Sequence, residues 1–163
     1  MWNFIFIGLG QKVFRGNNEI NTDDNGRIAM PSRYRDALLK VCSGHLIVTI
    51  DLQDKCLLIY PLAEWERIEA EIATLPTFNS TTRKLQRLLI GHAKEVDLDS
   101  SGRILIPTEL RNYAELEKKV ILIGQRHRFE IWSEGNWNQG RENWLADTSG
   151  DLDVPEEMRS ISL

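Results

Sequence analysis

A mainly β protein with capping helices, made of two tandem copies of one small module, is the fold class this sequence predicts, and three observations predict it. The phrase "DDNGRIAMP" (Asp23 to Pro31) returns as "DSSGRILIP" (Asp99 to Pro107). The segments "HLIVTI" and "LLIYPLAEW" return in the same order as "KVILIG" and "FEIWSEGNW". Gly26 and Gly102 stand 76 positions apart and Trp65 and Trp137 stand 72 apart, so the second copy is shorter by one trimmed connection. A chain of 163 residues has room for two small units, neither of which buries much apolar surface alone. Intimate packing of the halves, association of several chains, or both, are therefore expected.

Each element follows from local pattern. Asp23-Asp24-Asn25-Gly26 and Asp99-Ser100-Ser101-Gly102 place Asp first and Gly fourth, the signature of a type I turn. Alternation in Arg27-Ile28-Ala29-Met30 and in Arg103-Ile104-Leu105-Ile106 marks a short strand, with its apolar residues on one face and the arginine on the other. Pro31 and Pro107 fall at the first helical position, where no N–H is needed, and "SRYRDALL" and "TELRNYAEL" continue as helices. A hairpin then runs over Leu46–Ile50 and Leu57–Tyr60 around "DLQDKC".

Between the copies, "LAEWERIEAEIATL" spaces Trp65, Ile68, Ile72 and Leu75 as an amphipathic helix ended by Pro76. The next helix opens on the capping residues of "NSTT", sets Leu85, Leu88 and Leu89 on one face and stops at Gly91. Its other face carries Arg83, Lys84 and Arg87, for which a solvated surface is favoured over phosphate contact. The expected organisation is an N-terminal extension (1–12), module one (13–63), a helical linker (64–91), module two (92–138) and an acidic tail (139–163). Beyond Asp147 that tail is poor in aromatics and expected to be ordered loosely or not at all.

Chemistry-bearing motifs are scarce. Cys42 and Cys56 form no C-x-x-C pair, and His45, His92 and His127 are scattered, so neither a zinc site nor a redox motif is readable. Phosphate-loop, nucleophile-elbow and H-E-x-x-H patterns are missing. A carboxylate pair of Asp23 and Asp99 is conceivable for acid–base work, but the repeat and the turns explain both residues without it. The expectation is a non-enzyme with no catalytic residue, cofactor, metal or small-molecule substrate. No apolar run reaches about 20 residues, so no membrane helix is expected, and "MWNFIFIGLG" lacks the basic start and cleavage site of a secretory signal.

The net charge of −4 argues at first against a nucleic-acid partner. Residues 140–163, with two basic and six acidic side chains, carry all of it, leaving the remainder neutral. Trp65 and Trp137, like Tyr60 and Trp132, occupy equivalent positions and read as core anchors ahead of base-stacking platforms. The repeated arginine stands out. Presented just past a rigid turn, it forms a natural fork for phosphate oxygens or guanine O6 and N7. Ion pairs of Arg27 with Asp23 and of Arg103 with Asp99 are the plainer alternative, and both hold together if the carboxylate orients the arginine.

"VFRGNNEINTDDNGRIAMPSRYR" (Val13 to Arg35), "LQRLLIGHAKEVDLDSSGRILIPTELR" (Leu85 to Arg111) and the paired hairpins resemble the MraZ family of bacterial transcriptional regulators, over nearly the whole chain from Val13. The resemblance implies two SpoVT/AbrB-type modules forming a double-split, swapped-hairpin β-barrel. It also implies a ring-shaped homo-oligomer bound to direct repeats of double-stranded promoter DNA, repressing the division and cell-wall gene cluster, its own gene included. A cytoplasmic, nucleoid-associated protein follows from that role.

The family's D-x-x-x-R signature for DNA binding falls on Asp23 and Arg27 and on Asp99 and Arg103, and its M-F-R-G start matches Val13 to Gly16, adding Arg15. Arg33 and Arg35 follow the first phrase where Glu109 and Arg111 follow the second, so the first copy is expected to contact DNA and the second to serve fold and subunit contacts. An antitoxin-type interaction module on the same barrel is the alternative. The family start at Val13 makes "MWNFIFIGLGQK" the expected product of upstream translation. Mass spectrometry of natively expressed protein is expected to find an N-terminus at position 13, and a Trp2-containing terminus would contradict it.

Overall fold

A computed structural model describes residues 13–147 and 156–162; the expectations for residues 1–12 and for 148–155 and 163 of the tail lie outside them. The first module comprises β1 (Phe14–Asn21), β2 (Arg27–Ala29), α1 (Ser32–Cys42), β3 (His45–Ile50) and β4 (Leu57–Pro61). Helices α2 (Leu62–Ala73) and α3 (Ser80–Leu85) and a π-helical turn (Gln86–Ile90) connect it to the second. There β5 (Lys94–Asp97), β6 (Arg103–Leu105), α4 (Thr108–Tyr113), β7 (Lys119–Arg126) and β8 (Phe129–Ser133) repeat the order. Helices α5 (Glu134–Ala146) and α6 (Glu156–Arg159) follow.

Strand pairing interleaves the two copies. The main antiparallel sheet runs β1-β7-β8-β4-β3-β5, and β2 pairs with β6 in a separate ribbon. Each module's first strand thus leaves its own hairpin and adds to the other's: β1 lies along β7 from Phe14–Arg126 to Asn21–Lys119, and β5 lies along β3 from His45–Asp97 to Val48–Lys94. The hairpins join through β4 and β8. The mainly β, two-module fold is as the sequence predicts.

One core serves both modules. Ile28, Met30, Leu38, Val48 and Ile59 from the first pack in the same cluster as Ile104, Ile106, Leu110, Leu122 and Phe129 from the second. Strands β3 and β4 are buried almost throughout because both of their faces are covered. Ile47, Leu58 and Tyr60 turn away from the central core to meet Trp65 of α2. On the second module Ile121 and Trp132 meet Trp137 of α5. The equivalent aromatic positions therefore make equivalent pairs, Tyr60–Trp65 with ring centroids 5.5 Å apart and Trp132–Trp137 at 5.9 Å.

Boundaries depart from expectation in a few places. Pro31 and Pro107 occupy the cap position, one residue before the helices, with extended ψ of 139° and 145° that finish the preceding strands. Helix α2 ends at Ala73, which leaves Leu75 39% exposed outside the apolar stripe. The helix opened by Asn79, whose Oδ1 accepts N–H groups of Thr81 and Thr82, widens at Gln86, and Gly91 N–H donates five residues back to Gln86. Thr49 Oγ1, buried in β3, donates to the Leu89 carbonyl at 2.6 Å and anchors that wide turn on the sheet. Helix α5 runs through the expected boundary between 138 and 139, opened by Ser133 Oγ accepting from Asn136 N–H. No helix among the described residues is long and apolar enough to cross a membrane.

Because β1 and β2 find partners only across the repeat among the described residues, residues 13–88 alone are expected to yield no folded monomer. Sedimentation and far-ultraviolet circular dichroism check this; a stable monomeric β domain would contradict it.

Candidate nucleic-acid interface

The two repeated phrases meet at the β2–β6 ribbon. Its register sets Ile28 opposite Ile104, both fully buried, with Arg27 opposite Leu105 and Ala29 opposite Arg103 on the outer face. Backbone bonds lock each turn to the other module: Met30 N–H donates to the Gly102 carbonyl at 2.9 Å, and Ile106 N–H donates to the Gly26 carbonyl at 3.1 Å. The four residues Asp23, Arg27, Asp99 and Arg103 are thereby brought to one surface.

Each aspartate builds its own turn. Asp23 Oδ1 accepts the N–H of Asn25 at 2.9 Å and of Arg27 at 2.8 Å; Asp99 Oδ1 accepts those of Ser101 at 2.8 Å and Arg103 at 2.9 Å. Gly26 and Gly102 N–H groups close the turns onto the aspartate carbonyls at 3.0 Å. The Arg27 N–H holds the Asp23 carboxyl below the usual range against partial desolvation, aided by the Asn25 N–H and by the Arg27 and Arg103 charges. Asp99 is lowered in the same way, chiefly by the Arg103 N–H.

The two guanidinium groups differ. Arg103, its side chain 42% exposed, lies between both carboxylates, 3.4 Å from Asp99 Oδ2 and 3.6 Å from Asp23 Oδ2. Arg27 makes no ion pair within 4 Å and no side-chain hydrogen bond among the described residues. The pairing of Arg103 with Asp99 suggested by sequence is present, whereas Asp23 meets the arginine of the other module. One arginine bridges both carboxylates, which leaves the Arg27 guanidinium without a direct partner among the described residues.

Arg35 and Arg111 reinforce the crossing. Gly102 (φ +73°) and Gly26 (φ +83°) take left-handed conformations, and a Cβ on Gly102 would lie 2.3 Å from Arg35 Nε, one on Gly26 2.4 Å from Arg111 Cζ. Each helix arginine thus lies across the other module's turn. Arg35 Nε also donates to the Met30 carbonyl at 2.6 Å. That cross-module contact is invisible in the sequence, although the equivalent spacing of Arg35 and Arg111 after the two glycines is a signal for it.

Arg15 and Arg33 form a separate group. Arg33 donates to Asn18 Oδ1 and lies over the Tyr34 ring at 4.7 Å, and the Tyr34 hydroxyl donates to the Arg15 carbonyl. Arg15 is exposed on β1. Among the described residues no hydrogen bond or ion pair joins this group to the ribbon.

Fold and surface together define a tandem-module β protein with an arginine-bearing ribbon shared between its modules. The chain belongs to the MraZ family: the profile described as "MraZ protein, putative antitoxin-like" matches residues 13–88 and 89–150. It is similar to three proteins named Transcriptional regulator MraZ, each matched over its whole length and over 93% of this chain. They come from Halorhodospira halophila at 49% identity, Legionella pneumophila strain Corby at 50% and Pseudomonas aeruginosa strain LESB58 at 51%.

The lowered carboxyls fix the sign of a pH effect. Their stabilisation of the turns is fully present above the ordinary aspartate value of about 3.9 and is lost as pH falls through the lower folded-state values. Thermal unfolding is expected to be insensitive to these groups from pH 7 to 5 and to drop below about pH 4. Asp99→Asn, which keeps an acceptor for the turn N–H groups, is expected to destabilise less than Asp99→Ala. An equal loss from both changes would contradict the capping role.

Proposed function

We propose that this protein is a sequence-specific DNA-binding transcriptional regulator that represses the division and cell-wall gene cluster, including its own gene. It binds direct repeats in promoter DNA as a ring-shaped homo-oligomer. The names of its relatives support the regulatory role, and the observation that carries the DNA reading is the Arg27 guanidinium, with no ion pair or side-chain hydrogen bond among the described residues, on the outer face of a ribbon backed by buried Ile28 and Ile104. A planar fork of this kind matches guanine O6 and N7 in the major groove, which admits a two-stranded β-ribbon.

Rigid presentation matters because a strand that had to be ordered on binding would lose backbone conformational entropy at that moment. The Asp23 turn, the crossed backbone bonds and Ile28 hold the strand that bears Arg27. Arg103 offsets part of the negative charge of the neighbouring carboxylates that would otherwise repel phosphate. In a ring, repeated ribbons meet repeated boxes, and the effective concentration raises the avidity of individually weak sites. Arg15 and Arg33 supply phosphate contacts, and Arg35 supports the ribbon from behind in addition to any contact of its own.

Arg27→Ala is expected to weaken binding to the native upstream repeats about 5- to 150-fold, the loss of one good bidentate base contact, with the oligomer intact. Arg103→Ala is expected to weaken it less. Fluorescence anisotropy against native and scrambled duplexes at several salt concentrations reads both, the salt slope reporting the phosphates neutralised. Equal weak binding of both duplexes by all three proteins would overturn this function and favour a protein partner.

A further inference from the structure

The outer face of the ribbon is asymmetric in a second respect. Residues directly opposite on antiparallel strands share a face, with Cβ atoms about 4.5–5.5 Å apart. Arg27 therefore stands beside Leu105, and Arg103 beside Ala29. Leu105 is 45% exposed between two fully buried neighbours, Ile104 and Ile106. A lone exposed leucine is ordinarily unremarked, but this one is the cross-strand neighbour of the guanidinium that has no partner among the described residues. In the half where the guanidinium is tied to two carboxylates, the neighbour shrinks to alanine.

We propose that Leu105 is a specificity-determining residue of the DNA site: it reads the C5-methyl group of a thymine adjoining the guanine held by Arg27. The assignment rests on the DNA-binding reading above. In the major groove guanine is marked by two acceptors and thymine by its methyl group, the one apolar feature available there. Leucine offers no hydrogen-bond donor for a phosphate or a base edge and gains only by covering apolar surface. A cross-strand spacing near 5 Å against a base-pair rise of about 3.4 Å lets the two side chains address neighbouring base pairs. The second module then contributes one of the two base-reading side chains at the first module's site, and Arg27 and Leu105 together read a mixed polar and apolar step.

The test replaces single thymines of the native upstream duplex with deoxyuridine, which preserves base pairing and removes only the methyl group. Wild-type protein is expected to lose about fourfold in affinity at one position per repeat, the equivalent of one buried methylene. Leu105→Ala is expected to bind the native duplex more weakly by a similar factor and to be indifferent to uracil at that position. Because Leu105 is exposed, circular dichroism and sedimentation of the variant should match the wild type. Indifference of the wild type to every substitution, or unchanged uracil sensitivity in Leu105→Ala, would overturn the assignment while leaving the DNA reading intact. Failure of the wild type to prefer native over scrambled DNA would overturn both.

Discussion

The shared β2–β6 ribbon is the constraint on which the rest depends. Ile28 and Ile104 face each other at its centre and are fully buried, each burial contributing about 1.5–3 kcal/mol. Neither strand has another partner among the described residues, so each is paired only when both modules are present. The exchange of β1 and β5 between hairpins follows the same logic. Two halves too small to close separate cores close one together.

That constraint also creates the difference between the two arginines. Antiparallel pairing brings two D-x-x-x-R phrases close enough for their carboxylates to share one guanidinium. Exposed ion pairs contribute little to stability. Their consequence here is local charge: Arg103 and Arg27 together balance the two carboxylates, and because Arg103 sits between both of them, Arg27 is the one left without a direct ion pair among the described residues. The net charge of the whole chain is thus a poor guide to this surface, because the acidic excess lies in residues 140–163.

Much of this was legible in the sequence. The type I turns, the inward Ile28 and Ile104, the outward arginines and the hairpins all follow from turn chemistry and alternation, which are local. The direction of pairing was not: nothing in "FRGNNEIN" states that β1 joins β7, since its exposed-edge pattern fits either hairpin. Only the family resemblance implied an exchange. Likewise, the Asp23–Arg103 contact and the seats of Arg35 and Arg111 over the opposite glycines join residues roughly 70–85 positions apart and leave no periodic trace. Helix boundaries shifted by a residue or two at Pro31, Pro107 and Ala73, while the stop at Gly91 stands and the wide turn before it is held by the long-range bond of Thr49 to Leu89.

Hydrogen–deuterium exchange of the assembled protein, free and bound to its upstream repeats, tests the central claim most directly. Protection on DNA binding is predicted to concentrate in residues 23–29 and 103–107, appearing in both modules at once because they share the ribbon. Protection confined to α3 and the π-helical turn after it, with their basic residues Arg83, Lys84 and Arg87, and the ribbon unchanged, would contradict the account and move the interface to the helical linker.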